Sequence, residues 1–126
     1  MKKNNKGFSL VELIIVIAIM AVLIGLLAPQ YLKFVKKSKV SADVSNAQAL
    51  ATAFNVAFAD STVSSGSYTG ATGDTCASGV DAQWPDCKLV PGASFSVTVG
   101  SNGVSAVKIG SDQVWPTVSS TSSWAQ

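Results

Sequence analysis

At 126 residues the chain has room for one small domain and an anchoring segment. It holds no arginine and no histidine, so it lacks a bidentate fork for phosphate, a neutral-pH imidazole base and an imidazole metal ligand. Enzymatic and nucleic-acid-binding functions are therefore disfavoured from the outset, and no cofactor is implied.

The formal net charge of +2 belongs to the first residues, because Lys2, Lys3 and Lys6 precede Gly7. A chain cut after Gly7 would keep six lysines against seven acids. Beyond that point, Leu13 to Ala28 contains no charged or strongly polar side chain. With Phe8 to Glu12 added, this makes about 21 residues, or roughly 30 Å of helix, the thickness of a bilayer core. A cleavable secretory signal fits the lysine-rich start, but the apolar run is long for one and contains Glu12. Its small-residue exit, Leu26-Leu27-Ala28 before Pro29, is also a poor match to a signal cleavage site. Lysine counting does not orient the segment, since Lys33, Lys36, Lys37 and Lys39 lie on its far side.

The helical pattern continues past the apolar run. Val40, Val44, Ala47, Ala51, Phe54 and Phe58 recur at spacings of three and four, with Asp43, Asn46, Gln48 and Asn55 largely between them. One helix is expected from about Phe8 to Asp60, apolar all round in its first half (8–29) and amphipathic in its second (30–60). Pro29 removes the N–H that would meet the carbonyl of Gly25, and Gly25 is a weak helix former, so a bend or break is expected between them.

After Asp60 the composition shifts to Gly, Ser, Thr and Asp, which reads as loop. Cys76 and Cys87 fall in this stretch and are too few for a zinc site. In an exported domain a disulfide between them is the plainer reading, and it places residues 61–126 outside the cell. Phe95, Val97 and Val99 then alternate with Ser94, Ser96 and Thr98, Gly100–Gly103 reads as a hairpin turn, and residues 104–109 return. A third run around Val114 reads as an edge strand because of Pro116. Three strands with one apolar face need cover, which the 40–58 helix supplies. The expected fold is α+β: a long N-terminal helix packed on a small antiparallel sheet.

Lys6-Gly7-Phe8-Ser9-Leu10-Val11-Glu12, followed by an apolar run and Pro29, resembles the start of type IV prepilins. The resemblance covers residues 2 to about 60. It implies a leader of residues 1–7, cleavage between Gly7 and Phe8 by a prepilin peptidase on the cytoplasmic side, and N-methylation of Phe8. It also implies a membrane-held subunit pool and a homo-oligomeric extracellular filament, assembled by machinery with a cytoplasmic ATPase.

The physics of Glu12 agrees with that resemblance. A lone carboxylate carried to the centre of a bilayer costs roughly 2–3 kcal/mol, and less near the edge. Cutting after Gly7 creates a cation, the α-amine of Phe8. Glu12 is four residues on and shares its helix face, so it can pair with its own amine or with a neighbouring subunit's. The two are compatible, one in the monomer and the other in the assembly.

Other features support weaker readings. The lysines at 33–39 can face DNA or lipid headgroups, though a solvated collar is the simpler account. Tyr31, Phe34, Phe54 and Phe58 suggest packing on sister helices or the sheet. Asp74, Asp81 and Asp86 lack EF-hand spacing, so no metal is expected. A pseudopilin of a type II secretion or DNA-uptake system shares the N-terminal pattern. A membrane-anchored adhesin or binding module is motivated by the tryptophans, read as exposed, and opposed by Glu12.

Overall fold

The computed structural model describes residues 7–120, 122, 124 and 125; the expected leader residues Lys2, Lys3 and Lys6 lie outside this range. The chain divides into two compact units, Met1–Val35 and Lys36–Gln126.

A single helix, α1 (Leu10–Ala59), contributes to both units. In the first unit every described residue from 7 to 34 is exposed, including the whole run of Leu, Ile, Val and Met. This segment is long and apolar enough to cross a membrane, and none of its apolar window is buried. The break expected at Gly25–Pro29 is not formed, because α1 continues through Pro29. A proline removes one hydrogen bond, here to the Gly25 carbonyl, while the surrounding helix formers keep theirs.

In the second unit α1 buries Val40, Asp43, Ala47, Leu50, Ala51, Phe54 and Ala57. The helix ends in a double bond to its last turn. Ser61 N–H donates to the Phe58 carbonyl, and Thr62 N–H donates to the Ala57 carbonyl, both at 3.0 Å. Ser61 takes the left-handed conformation this cap requires, with φ of 58°. Thr62 Oγ1 adds a further bond to the Ala57 carbonyl at 2.8 Å.

Four strands follow: β1 (Gly66–Thr69), β2 (Phe95–Gly100), β3 (Gly103–Ile109) and β4 (Asp112–Trp115). They form one antiparallel sheet in that order. The β2–β3 hairpin turns at Gly100–Gly103 as its sequence suggests, and Phe95, Val97, Val99, Val107 and Ile109 face the core. β4 stops at Trp115, before Pro116. β1 corrects the expectation of three strands and a loop. Its Gly, Ser and Thr hid a segment whose backbone pairs with β2, Tyr68 opposite Val97.

The helix stripe and the inner sheet face share one hydrophobic cluster. Phe54 sits at its centre, with the rings of Tyr68 and Trp84 tilted against it at 5.3 and 6.0 Å between centroids. Such pairs add attraction beyond the burial of their area. Trp84 reaches this position from a short paired segment. Gly73 N–H donates to its carbonyl, Trp84 N–H donates to the Asp74 carbonyl, and Cys76 N–H donates to the Ala82 carbonyl.

Candidate assembly site

Gly7 and Phe8 lie just before the helix, in non-helical backbone. Phe8 is 92% exposed, and a Cβ built on Gly7 would meet nothing within 4 Å. Nothing among the described residues therefore requires glycine at this position. The helix begins two residues later because Ser9 caps it. Glu12 N–H donates to Ser9 Oγ at 3.2 Å, and Ser9 N–H donates to Glu12 Oε2 at 3.0 Å. This reciprocal pair is a capping box, which satisfies two amides that a helix start otherwise leaves open. Leu13 N–H to the Ser9 carbonyl, at 3.2 Å, closes the first turn.

Glu12 is thus the single acid on the membrane-length segment and is already part of a local hydrogen-bond pair. The Ser-x-x-Glu spacing at 9–12 is the sequence signal for this pair, a role of Glu12 additional to pairing with the amine. The carboxylate at this end of α1 also sits favourably in the field of the helix N-terminus. The capping box engages Oε2, and a carboxylate has a second oxygen to offer an amine.

In the second unit the polar centre is Asp43, fully buried. Its carboxylate accepts the N–H groups of Lys88 at 2.7 Å and Leu89 at 3.0 Å, and the indole N–H of Trp124 at 2.9 Å. Cys87 Sγ–H donates to it at 3.3 Å. Two segments distant in sequence, residues 87–89 and Trp124, are tied to one helical residue. This overturns the placement of Asp43 on the polar face of the helix.

The disulfide expected between Cys76 and Cys87 is not formed: both are free, buried thiols. Backbone pairing sets Cys76 against Ala82, and Cys87 is taken up by Asp43. Burial pushes the Cys76 thiol up to about 11. The Cys87 thiol is also raised, mainly by burial, with the Val90 N–H opposing and the Asp43 carboxylate assisting.

Trp84 and Trp124 are buried and Trp115 is half-buried, so the exposed tryptophans that motivated an adhesin are not there. Asp74, Asp81 and Asp86 are exposed, and among the described residues no three acidic, cysteine or histidine side chains converge on a metal position. Tyr31 and Phe34 are exposed, whereas Phe54 is in the core and Phe58 packs at its margin. Lys36, Lys37 and Lys39 are exposed, and the one ion pair among the described residues joins Lys88 to Asp86 at 3.5 Å.

Comparison with known proteins places this geometry in context. Residues 2–28 match the family model described as a prokaryotic N-terminal methylation motif. The type IV major fimbrial protein FimA of Dichelobacter nodosus is 30% identical over 125 residues, covering 86% of this chain and 80% of that protein. The type IV major pilin protein PilA of Myxococcus xanthus is 44% identical over 50 residues, 40% of this chain and 23% of its own length. A fimbrial protein of Pseudomonas aeruginosa is 43% identical over 51 residues, 40% of this chain and 33% of its own. No solved structure matches the chain.

Proposed function

The chain belongs to the type IV pilin family, and from that premise we propose that it is the major subunit of an extracellular type IV pilus. One observation carries the reading: the helix of residues 10–29 is apolar, exposed on every side, and bears a single carboxylate in its first turn. Each exposed Leu, Ile or Val is worth roughly 1.5–3 kcal/mol when removed from water, so this surface requires a bilayer or a bundle of like helices. Moving between those two environments costs little, which suits a subunit that is stored in a membrane and drawn into a filament.

A prepilin peptidase cuts the Gly7–Phe8 bond, which lies outside the helix and is open to approach. The new Phe8 amine, methylated in this reading, then becomes a cation beside an apolar helix. Glu12 supplies its counter-charge, from the same subunit in the membrane and from a neighbour in the filament. Pairing across subunits favours registered entry, because an unpaired carboxylate in the helix bundle would be a buried, uncompensated charge. The assembly machinery and its cytoplasmic ATPase do the mechanical work, and the pilin has a structural role.

The test is electron microscopy of material sheared from cells with and without the gene, together with cells carrying Glu12→Lys. Filaments lost on deletion and in the lysine variant are expected. Unchanged long surface filaments after deletion would overturn the major-subunit role and leave a pseudopilin.

A further inference from the structure

We propose that Lys36, Lys37 and Lys39 form a docking surface for the anionic phospholipid headgroups of the membrane that holds the subunit before assembly. The inference rests on the reading above, that the apolar segment is held in a bilayer.

The first observation is that these ammonium groups have no ion-pair partner among the described residues. All three are exposed, and the one described ion pair, Lys88 with Asp86, lies elsewhere. The nearest acid along the helix, Asp43, is buried and engaged with Cys87, Lys88, Leu89 and Trp124. Lys36 and Lys39 are three residues apart and are neighbours on one helix face, with Lys37 about 100° round from Lys36.

The second observation is their place in the sequence. They follow the apolar run closely, within the distance over which lysines bias the orientation of a membrane segment. With the domain outside, they stand on the side where that bias disfavours lysine. Cutting after Gly7 would remove Lys2, Lys3 and Lys6 and leave all the flanking lysines on that side. A basic cluster held against this bias has its nearest polyanion in the headgroups of the adjoining leaflet.

The third observation selects lipid over nucleic acid. Lys37 stands beside a recess of about 480 Å³ lined also by Val40, Ser41, Val44, Val118 and Trp124. An ammonium and a hydroxyl beside an apolar wall match a phosphate that continues into a glycerol and acyl chain. A duplex backbone has no apolar group to place there, and the chain has no arginine to read a base edge.

The test uses the full mature chain, starting at Phe8, in phosphatidylcholine nanodiscs containing spin-labelled phosphatidylglycerol or spin-labelled phosphatidylcholine. Electron paramagnetic resonance then gives the relative association of the two labels. A preference for phosphatidylglycerol of roughly fivefold or more is expected, as for one or more lysines near an anionic surface. High salt should reduce it, Lys37→Gln should lower it, and Lys36→Gln/Lys37→Gln/Lys39→Gln should abolish it. Lys88→Gln/Lys108→Gln, which removes two lysines outside the cluster, should leave it unchanged. Equal preference in the wild type and the triple variant would overturn the inference. So would lysine-dependent binding of a DNA duplex at about 0.15 M salt without headgroup preference. Failure of the chain to enter the nanodiscs would overturn the membrane reading as well, whereas entry without preference overturns this inference alone.

Discussion

Asp43 accepts the indole N–H of Trp124 at 2.9 Å, joining the helix to a residue 81 positions later. The same carboxylate holds the Lys88 and Leu89 amides, so one buried acid fastens both a loop and the C-terminal segment. Asp43→Ala should destabilise the folded domain by about 3–5 kcal/mol, since it leaves several buried donors without an acceptor. Asp43→Asn keeps the shape but turns one acceptor into a donor facing other donors, so its loss should be a substantial fraction of that. Thermal unfolding of the full chain in detergent measures both. A change under 1 kcal/mol in the alanine variant would show that water replaces the carboxylate (about fivefold in the folding equilibrium).

The helix shows why this residue escaped a reading from sequence. Positions 40, 43, 47, 50, 54 and 57 follow a strict three-four alternation, and all are buried. A stripe drawn through apolar side chains alone takes in Val44 and Phe58 and leaves Asp43 outside it. Periodicity alone located the face; a charged residue on it is recognised only when its distant partners are known. The β2–β3 hairpin was legible because Phe95, Val97 and Val99 alternate without exception. β1 was not, because its pairing is carried by backbone groups that any residue possesses. At the candidate site, the placement of Gly7, Phe8 and Glu12 around the start of the apolar helix was legible from the motif, whereas the hydrogen-bonding role of Ser9 is carried by the Ser-x-x-Glu spacing.

Gly103 closes the β2–β3 hairpin with φ of 110°, and a Cβ there would meet Asn55 Oδ1 at 2.6 Å. That oxygen already accepts the Val104 N–H at 2.8 Å. Gly103→Ala should therefore cost about 2 kcal/mol, from backbone strain together with displacement of Asn55. Adding Asn55→Ala removes the clash, so the double variant should be more stable than the sum of the single losses predicts. Strict additivity in chemical denaturation would mean that strain alone sets the cost.

The thiols make stability fall in alkali. In the folded chain Cys76 titrates at about 11, above its ordinary value of 9.0. Below the ordinary value both states hold the proton and the contribution is complete. As pH rises toward the folded value, the unfolded chain loses its proton first and stability declines, by on the order of 2 kcal/mol at most. Cys76→Ala should remove most of this dependence between pH 9 and 11, apart from a smaller share due to Cys87. Alkylation should be slow in the native chain and fast in denaturant. Absence of any alkylatable thiol in denatured, unreduced protein would instead indicate a bond between the two cysteines.

Ser9 and Glu12 allow the two roles of the glutamate to be separated. The capping box needs an oxygen at position 12 to accept the Ser9 N–H, and a glutamine amide provides one. The proposed pairing with the Phe8 amine needs a negative charge, which glutamine lacks. Glu12→Gln should therefore preserve the start of the helix while lowering the ratio of sheared filament to membrane-held subunit by at least roughly tenfold. Ser9→Ala has the opposite profile. It loses the cap, worth about 1 kcal/mol, which should speed amide exchange over Leu10–Leu13 about fivefold, yet it leaves the carboxylate for a neighbour. Its filament yield should stay within about twofold of wild type, because capping acts on the helix start and the ion pair acts on entry. If Ser9→Ala abolished filaments while Glu12→Gln assembled normally, the glutamate would serve assembly by capping its own helix, and the pairing between subunits would be wrong.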